Sequence, residues 1–378
     1  MSCSLTDICG GCPLRSLDEA EYRRGKIERF ERLIAPLKPC AVGEAVFIGD
    51  GTRRRAVLAF RSRKGKLQFG FNRSRSDEIM DIEHCPLLTP RLNRVLPDIR
   101  RLLEALTAIT VSTRVGRKIE TRRLSGGDVA VTEAVNGIDL LLDLSQDLSL
   151  EHRMTIFEMV SAFSDIIRVS FRSRPEMLPE PVIEKTAPYI DIAGYQVFIP
   201  AGTFLQPSFE GERALTGLVM KYAEGCRGKI ADLFCGVGTF SYPLSRLPGV
   251  KITAVDSSPA LLEGFRRSLN KNQISDIEIV EKNLFKYPLD IRELSAFELV
   301  VFDPPRAGAL AQVKNLAALP IAARPARLIA VSCNPETFVR DARILREAGY
   351  ILREVTLVDQ FTYSEHSEVV ALFTNPEN

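Results

Sequence analysis

The sequence contains no run of 18 apolar residues, and therefore no segment of the length that a membrane-spanning helix needs. Its N-terminus, M-S-C-S-L-T-D, also lacks the basic and apolar regions of a signal peptide. No internal repeat or low-complexity tract is evident. These absences predict a cytoplasmic protein with no membrane partner, and nothing indicates an obligate protein partner. With 378 residues, 45% hydrophobic and 26% charged, the chain is long enough for two or three domains.

The small formal net charge of +2 conceals an uneven distribution. Residues 51–76 contain no acidic residue, and their nine cations are Arg53, Arg54, Arg55, Arg61, Arg63, Lys64, Lys66, Arg73 and Arg75. Such a segment is typical of a surface that binds a polyanion, although a solvated basic hairpin would have the same composition.

The eight cysteines do not indicate a disulfide framework, because a cytoplasmic compartment keeps thiols reduced. Four of them have the spacing of metal ligands, namely Cys3, Cys9, Cys12 and Cys85. The remaining four are solitary, namely Cys40, Cys226, Cys235 and Cys333.

The first half of the chain predicts a helix followed by a strand-rich region. Residues 17–37 have acidic residues at the start and Pro36 near the end, as a helix does. Residues 56–72 predict a hairpin whose turn is Lys64-Gly65. Further short apolar runs follow up to residue 200, and one helix is expected near 152–163.

From about residue 202, strands and helices alternate. The predicted strands are 229–235, 251–255, 277–280, 299–302 and 328–331, and a final pair, 351–358 and 369–373, has only a short connection. This order predicts an α/β fold with a doubly wound, mostly parallel sheet, helices on both faces and an antiparallel pair at one side.

Two acidic positions and a glycine-containing loop predict a cofactor site in this sheet. The segment D-L-F-C-G-V-G-T at 232–239 follows a predicted strand, and Asp232 is suited to holding a polar group of the ligand. The next strand ends at Asp256, where a carboxylate commonly binds ribose hydroxyls. The longer G-x-G-x-x-G pattern of dinucleotide sites is missing, since residue 241 is Ser. S-adenosylmethionine therefore fits better than NAD, although a short glycine turn alone is weak evidence.

Three further segments predict a chemical site at the same edge. The D-P-P-R segment at 303–306 is suited to holding a planar ring, or is only a rigid connection. Cys333 follows the next strand beside a predicted helix N-terminus that favours thiolate, although many such cysteines are core residues. His366 and Glu368 alternate on a strand, where a carboxylate in a pocket could take a proton. A nucleophile, a donor site and a base match methylation at carbon 5 of a pyrimidine.

With these motifs the chain resembles the RNA 5-methyluridine methyltransferase family from Cys3 to Val370, and especially its shorter members that act on 23S rRNA. The resemblance implies a class I, Rossmann-like methyltransferase domain. It also implies that Cys333 attacks carbon 6 of uracil and that Glu368 removes the proton from carbon 5. The positions it implies for contacts with S-adenosylmethionine are Gln206, Phe234, Asp256, Asn283 and Asp303. Arg306 is a candidate to orient the base or stabilise its oxyanion.

The resemblance also implies a [4Fe-4S] cluster bound by the four spaced cysteines, whose spacing alone would equally suit zinc. The expected domains are an iron-sulfur loop and helix at 1–40, with the fourth ligand at 85, a strand-rich RNA-binding domain at 41–200 and a catalytic domain at 201–378. Longer relatives carry an additional N-terminal β-barrel, whereas this sequence begins at the cysteine loop. The chain departs from the family where Pro207-Ser208 follow Gln206 and around 362–365.

RNA is the expected partner, with rRNA first and tRNA second. A target uridine must be unpaired or flipped to reach Cys333. Two other functions stay open at this point. Methylation of an exocyclic nitrogen uses a similar D-P-P loop without a thiol, and an iron-sulfur RNA-binding protein could carry an inactive methyltransferase domain.

Overall fold

The computed structural model describes residues 3–6, 8–115 and 118–377. Its helices in chain order are α1 (Glu19–Ile34), α2 (Pro90–Ala108), α3 (Leu150–Ala162), α4 (Phe209–Ala223), α5 (Ser241–Leu244), α6 (Pro259–Asn272), α7 (Ile291–Leu294), α8 (Leu310–Ala317) and α9 (Pro335–Glu347). Its first ten strands are β1 (Ala41–Val42), β2 (Val46–Phe47), β3 (Arg55–Arg63), β4 (Lys66–Asn72), β5 (Ile79–Asp81), β6 (Thr110–Val115), β7 (Lys118–Arg123), β8 (Gly126–Ala134), β9 (Gly137–Leu144) and β10 (Ile166–Arg172). The others are β11 (Glu180–Glu184), β12 (Tyr189–Ile192), β13 (Tyr195–Phe198), β14 (Lys229–Leu233), β15 (Lys251–Asp256), β16 (Ile277–Glu281), β17 (Leu299–Phe302), β18 (Arg327–Ser332), β19 (Ile351–Asp359) and β20 (Glu368–Thr374).

The chain divides into two compact units that do not coincide with the domains expected from the sequence. The first unit consists of Met1–Ser16, Gly49–Ile190 and Ile199–Ser208, and the second of Leu17–Ile48, Asp191–Phe198 and Phe209–Asn378. The expected boundary at 40/41 fails because Phe30 and Ile34 of α1 belong to the core of the second unit. The boundary at 200/201 moves to Ser208, which forms a β-bridge with Arg53 of the first unit.

The second unit is built on a sheet with the strand order β1-β19-β20-β18-β17-β14-β15-β16, in which β2 also pairs with β19. Strands β14 to β18 pair in parallel, whereas β20 is antiparallel to both β18 and β19. The mostly parallel sheet and the antiparallel final pair that the sequence predicts are confirmed. Since β15 lies on one side of β14 and β17 on the other, the strand order reverses at β14. Ligands of open α/β sheets bind at such switch points.

Helix α1 forms where the sequence predicts a helix. The side chain of Asp18 accepts a hydrogen bond from the backbone N–H of Glu21 at 2.8 Å and so satisfies a free donor of the first turn. Tyr22, Lys26, Phe30 and Ile34 recur every four residues and form its buried face. Phe30 and Ile34 are apolar and enter the core, whereas Tyr22 and Lys26 are polar residues in the same stripe.

The first unit contains a sheet with the order β11-β10-β9-β8-β3-β4-β5. Strands β3 and β4 form the predicted hairpin, and its turn residues Lys64 and Gly65 both have positive φ, at 52° and 75°. A two-residue turn in which both residues have the left-handed backbone conformation matches the right-handed twist of the strands it connects. The helix predicted near 152–163 is α3. Nowhere in the described residues is a helix both long and apolar enough to cross a membrane.

Candidate active site

The residues singled out in the second half of the sequence lie at one edge of the second unit's sheet. Phe234, Asp256, Asp303 and Cys333 are at or just after the carboxyl ends of β14, β15, β17 and β18. Glu368 begins β20, which runs antiparallel to β18 with Ser332 opposite Val369. Its amino end therefore meets the carboxyl end of β18, which explains why residues far apart in sequence share this edge.

The loop after β14 owes its shape to positive φ angles. Phe234 has a φ of 62°, which is uncommon outside glycine, and Gly236 and Gly238 have φ values of 56° and 93°. A Cβ on Gly238 would lie 2.5 Å from Cζ of Phe265, so this glycine is required by packing within the protein. A Cβ on Gly236 would meet nothing within 4 Å, which leaves its backbone open to a ligand.

Asp232 lies beneath this loop and is fully buried. One carboxylate oxygen accepts a hydrogen bond from Oγ of Ser241 at 2.5 Å, and the other has no partner among the described residues. Burial raises its pKa to about 7, and the charge of Asp303 adds to the increase, against the hydrogen bond from Ser241. The expectation that Asp232 holds a ligand group is not met in this structure, since its side chain has no accessible surface.

Asp256 joins the loops after β14 and β15. Its Oδ2 accepts a hydrogen bond from the N–H of Gly236 at 3.0 Å, and its Oδ1 accepts from Ser257 and Ser258 at 2.7 and 3.0 Å. A carboxylate has about four acceptor positions, so Asp256 retains capacity for a ligand hydroxyl.

Like Asp256, Asn283 binds backbone N–H groups of its own loop, which follows β16. Its Oδ1 accepts hydrogen bonds from the N–H groups of Phe285 and Lys286 at 3.1 and 3.2 Å. The exposed ring of Phe285 lies 5.4 Å from that of Phe234, centroid to centroid. The second unit thus brings Phe234, Asp256 and Asn283 to neighbouring loops around an aromatic pair.

Gln206, the remaining expected cofactor contact, belongs to the first unit. It is buried, and its carbonyl oxygen accepts a hydrogen bond from Nε of Arg54 at 3.0 Å.

Cys333 lines a cavity of about 580 Å³ within the second unit. This volume falls in the range of small-ligand sites, roughly 300–1,000 Å³. The polar and charged side chains around Cys333 in the cavity are Lys26, Arg29, Arg32, Arg306, Asn334, Glu336, Glu365, His366 and Ser367.

Hydrogen bonds tie the D-P-P-R loop to the Cys333 loop. The carbonyl oxygen of Arg306 accepts from Nδ2 of Asn334 at 3.1 Å and from Oγ1 of Thr337 at 3.3 Å. Asn334 also caps α9, because its Oδ1 accepts from the N–H of Glu336. The guanidinium Nη2 of Arg306 lies 2.8 Å from Nδ1 of His366. Arg306 thereby joins the loops that carry Cys333 and Glu368.

The thiol of Cys333 is not activated in the way the sequence suggests. Burial raises its pKa to about 11, and the negative charges of Glu368 and Asp303 add to this increase. Arg306 acts in the opposite direction but does not compensate. Cys333 therefore does not have the low pKa that the sequence predicts, because burial and the two carboxylates raise it.

Glu368 is a buried carboxyl group, with 2% of its surface exposed. Its Oε1 accepts a hydrogen bond from Nε2 of Gln360 at 3.1 Å, while its Oε2 has no partner in the described part of the chain. Burial, followed by the charge of Asp303, raises its pKa. A carboxylate with a raised pKa is a stronger base than one in water.

The segment before Glu368 is bound to α1, which the sequence reasoning missed. Nζ of Lys26 donates to Asp359 Oδ1 at 3.1 Å, to Ser367 Oγ at 3.2 Å and to the carbonyl oxygen of His366. The hydroxyl of Tyr22 donates to Asp359 and accepts from the N–H of Tyr363 at 2.9 Å. The sequence signal for this contact is that Tyr22 and Lys26 lie on the same face of α1 as the buried residues Phe30 and Ile34.

The four cysteines with ligand spacing line one small cavity of about 40 Å³ in the first unit, together with Arg15 and Arg53. Burial raises the pKa of Cys12 to about 12, and the pKa of Cys85 is raised for the same reason. Among the described residues, however, no three His, Cys, Asp or Glu side chains are grouped so that they could hold a metal ion. The predicted cluster is therefore not confirmed.

The basic segment at 51–76 is only partly a charged surface. Arg54 is fully buried, and burial lowers the pKa of Arg53 and Arg55. The exposed cations are Arg63, Lys64, Lys66, Arg73 and Arg75, of which Arg73 pairs with Glu78 at 3.1 Å. The available positive charge lies on the β3–β4 turn and just after β4.

An open α/β sheet that carries a glycine loop, acidic strand ends and a cysteine at its carboxyl edge defines the class of S-adenosylmethionine-dependent methyltransferases. The structure of the tRNA (uracil-54, C5)-methyltransferase of Pyrococcus abyssi, solved with S-adenosyl-L-homocysteine, has the same fold, with a TM-score of 0.71 and 23% identity over 99% of this chain and 87% of that one. Residues 190–375 match the family model described as tRNA (Uracil-5-)-methyltransferase.

Curated relatives match nearly the whole chain. An uncharacterized RNA methyltransferase of Agrobacterium fabrum is 34% identical over 97% of this chain and 82% of its own length. The 23S rRNA (uracil(1939)-C(5))-methyltransferase RlmD of Edwardsiella ictaluri is 28% identical over 98% of this chain and 81% of its own length. The chain belongs to the RNA (uracil-C5) methyltransferase family.

Proposed function

We propose that this enzyme methylates carbon 5 of a uridine in 23S rRNA, in the cytoplasm, by covalent catalysis through Cys333 and proton abstraction by Glu368. The observation that carries the proposal is that Cys333 directly follows β18 and Glu368 begins β20, its antiparallel neighbour, so that the charge of Glu368 adds to the effect of burial in raising the pKa of Cys333. A nucleophile and a base so placed are the two groups that this reaction requires.

The proposed steps begin when the thiolate of Cys333 adds to carbon 6 of the uracil ring. The new S–C bond moves an electron pair towards carbon 5 and the O4 oxygen, so carbon 5 becomes nucleophilic. S-adenosylmethionine, when bound, would supply the methyl group that carbon 5 takes, and would leave as S-adenosylhomocysteine. Glu368 then removes the proton from carbon 5, the carbon 5–carbon 6 double bond re-forms, and the thiolate of Cys333 leaves. The free Oε2 of Glu368 is available for this proton.

The cofactor is proposed to bind over the β14 switch point. Asp256 keeps acceptor capacity for ribose hydroxyls, and the open backbone at Gly236 leaves room beside it. Phe234 and Asn283 contribute from neighbouring loops, and Asp303 lies next to the chemical centre. Gln206 remains a proposed contact on the family resemblance.

The RNA is proposed to present a flipped or unpaired uridine, since a stacked base could not reach the half-buried Cys333. Arg63, Lys64 and Lys66 on the exposed hairpin turn supply charge for phosphates. The name of the Edwardsiella relative favours 23S rRNA. The description of the matching family model makes tRNA the second candidate.

A [4Fe-4S] cluster on Cys3, Cys9, Cys12 and Cys85 is part of the same proposal. All four thiols line one cavity, and although burial raises the pKa of Cys12, the charge of Arg15 beside it acts in the opposite direction, as a cation near a thiolate should. Four thiols are the kind of ligands that bind iron-sulfur clusters or zinc, although their placement in this structure does not form a metal site. Anaerobic purification with iron, sulfide and zinc analysis tests this; a protein with none of the three contradicts a metal site.

Substrate identity is tested by incubating the purified enzyme with S-adenosylmethionine and in vitro transcripts of 23S rRNA or tRNA. We expect 5-methyluridine at one position of the rRNA, read by mass spectrometry of nuclease fragments. Modification of tRNA alone would favour the second candidate. Methylation that persists in Cys333→Ala would contradict the covalent mechanism and favour nitrogen methylation, and no binding of S-adenosylmethionine would favour an inactive domain.

A further inference from the structure

Lys26 is the buried cation of α1. Only 5% of its side chain and 1% of that of Asp359 are exposed, and the two charges are 3.1 Å apart. An ammonium group has three N–H donors, and all three find acceptors here: Asp359, Ser367 and the carbonyl of His366.

These acceptors lie at the two ends of the loop that leads to the proposed base. Asp359 is the last residue of β19 and Glu368 the first of β20, so residues 360–367 form the connection between them. Lys26 binds both ends of this loop, and Tyr22 binds Asp359 and the N–H of Tyr363 in its middle. At the same end, Gln360 donates to Glu368. Helix α1 therefore holds the loop at both ends and in its middle.

Stability alone does not account for this arrangement. Burying two charges carries a large desolvation cost before their attraction is counted, and apolar replacements of buried ion pairs are often neutral or stabilising. The ammonium group fixes the distances between β19, the His366 carbonyl and the Ser367 hydroxyl. An apolar side chain could not do this. Ser367 immediately precedes Glu368.

We infer that Lys26, supported by Tyr22, is a positioning residue that holds Glu368 at carbon 5 of the base. This inference rests on the proposed function and adds a residue of α1 to it. Glu368 acts only after Cys333 has added to carbon 6 and carbon 5 has been methylated. Loss of Lys26 should therefore slow proton removal and release of Cys333, and leave the earlier steps largely intact.

The test compares wild type with Lys26→Met, Tyr22→Phe and Glu368→Gln, and uses Arg24→Met as a matched control on the exposed side of α1. Each protein is mixed with ordinary, unfluorinated RNA and radiolabelled S-adenosylmethionine. Covalent protein–RNA complex and released methylated RNA are followed over time on denaturing gels. Thermal unfolding and S-adenosylmethionine affinity are measured alongside.

We expect Lys26→Met to release methylated RNA roughly 10- to 100-fold more slowly than wild type, because a misplaced catalytic group costs factors of this size. Methylated covalent complex should accumulate, as in Glu368→Gln. Tyr22→Phe should show the same accumulation to a smaller extent and keeps the test valid if Lys26→Met folds poorly. Cofactor affinity should stay unchanged, and Arg24→Met should behave as wild type.

The inference is overturned if the Lys26 and Tyr22 variants lose activity only in proportion to their folded fraction, with no accumulation of covalent complex. If the proposed function itself is wrong, the experiment gives a different result. In that case the wild-type enzyme would form no covalent complex even with RNA that contains 5-fluorouridine.

Discussion

At the scale of single residues, burial and neighbouring carboxyl groups determine the electrostatics of the site. Burial raises the pKa of Asp232, Glu368 and Cys333, the charge of Asp303 adds to each increase, and the charge of Glu368 adds to that of Cys333. The resting site therefore favours a thiol over a thiolate. Arg306 is the neighbouring cation that acts to lower the pKa of Cys333. For Cys333 to react as a thiolate, substrate binding has to strengthen this effect of Arg306 or transfer the thiol proton to another group.

Replacing Glu368 with Gln should lower the pKa of Cys333 below its value of about 11. The amide keeps the volume of the side chain but removes the negative charge that disfavours thiolate in the alkaline range. The alkylation rate of Cys333, followed by peptide mass spectrometry as a function of pH, measures this pKa. Cys226, which is buried elsewhere in the second unit, is the internal control. An unchanged or higher pKa of Cys333 in the variant would contradict the assigned electrostatics.

Replacing Asp232 with Asn should make the second unit progressively more stable than wild type as the pH rises from about 4 to 7. The folded-state pKa of about 7 lies above the ordinary value of 3.8, so the folded protein binds more protons in this range and loses stability as pH increases. The full difference corresponds to about 4 kcal/mol as an upper estimate. Thermal unfolding of both proteins across this range checks the trend, with Ser241→Ala as a control that retains the carboxylate. A constant difference in Tm would oppose the prediction.

At the scale of helices and strands, local patterns carried the successful predictions. Strands β14 to β18 have continuous apolar runs, and Lys64-Gly65 is a local turn signal, so both were evident from sequence. Strands β1 and β2 have two residues each and no periodicity, and their partner β19 lies more than 300 residues away. The Lys26–Asp359 pair spans a similar separation. Such pairings depend on the completed sheet and could not be inferred from neighbouring residues.

The hairpin turn should bind RNA phosphates. Replacing Arg63, Lys64 and Lys66 with Ala should weaken RNA binding. The slope of log affinity against log salt should fall in magnitude by about 0.7 for each phosphate that is no longer neutralised. The kcat at saturating RNA should be preserved. The matched control replaces Arg227, Lys251 and Lys271, which are also exposed. Filter binding at several salt concentrations measures the slopes. Equal slopes for the two triple variants would remove the hairpin from the interface.

At the scale of the whole molecule, the N-terminal segment contributes to both units. Residues 1–16 carry three of the four spaced cysteines in the first unit, and residues 17–48 add α1, β1 and β2 to the second. The sequence predicts a single domain at 1–40, because the cysteine spacing and the helix pattern are adjacent in the chain. Packing of Phe30 and Ile34, which local pattern did not reveal, assigns the helix to the second unit. Removal of residues 1–48 should therefore damage both units.

The central claim is that Cys333 forms a covalent bond to carbon 6 of an RNA uridine and that Glu368 completes the reaction by taking the proton from carbon 5. Fluorine at carbon 5 cannot leave as a proton, so RNA containing 5-fluorouridine should trap the adduct. With S-adenosylmethionine, wild type should give a protein–RNA complex that survives denaturing electrophoresis, with the cross-link at Cys333 by mass spectrometry and none in Cys333→Ala. Release of methylated 5-fluorouridine RNA without such a complex, or a cross-link at another residue, would contradict the account.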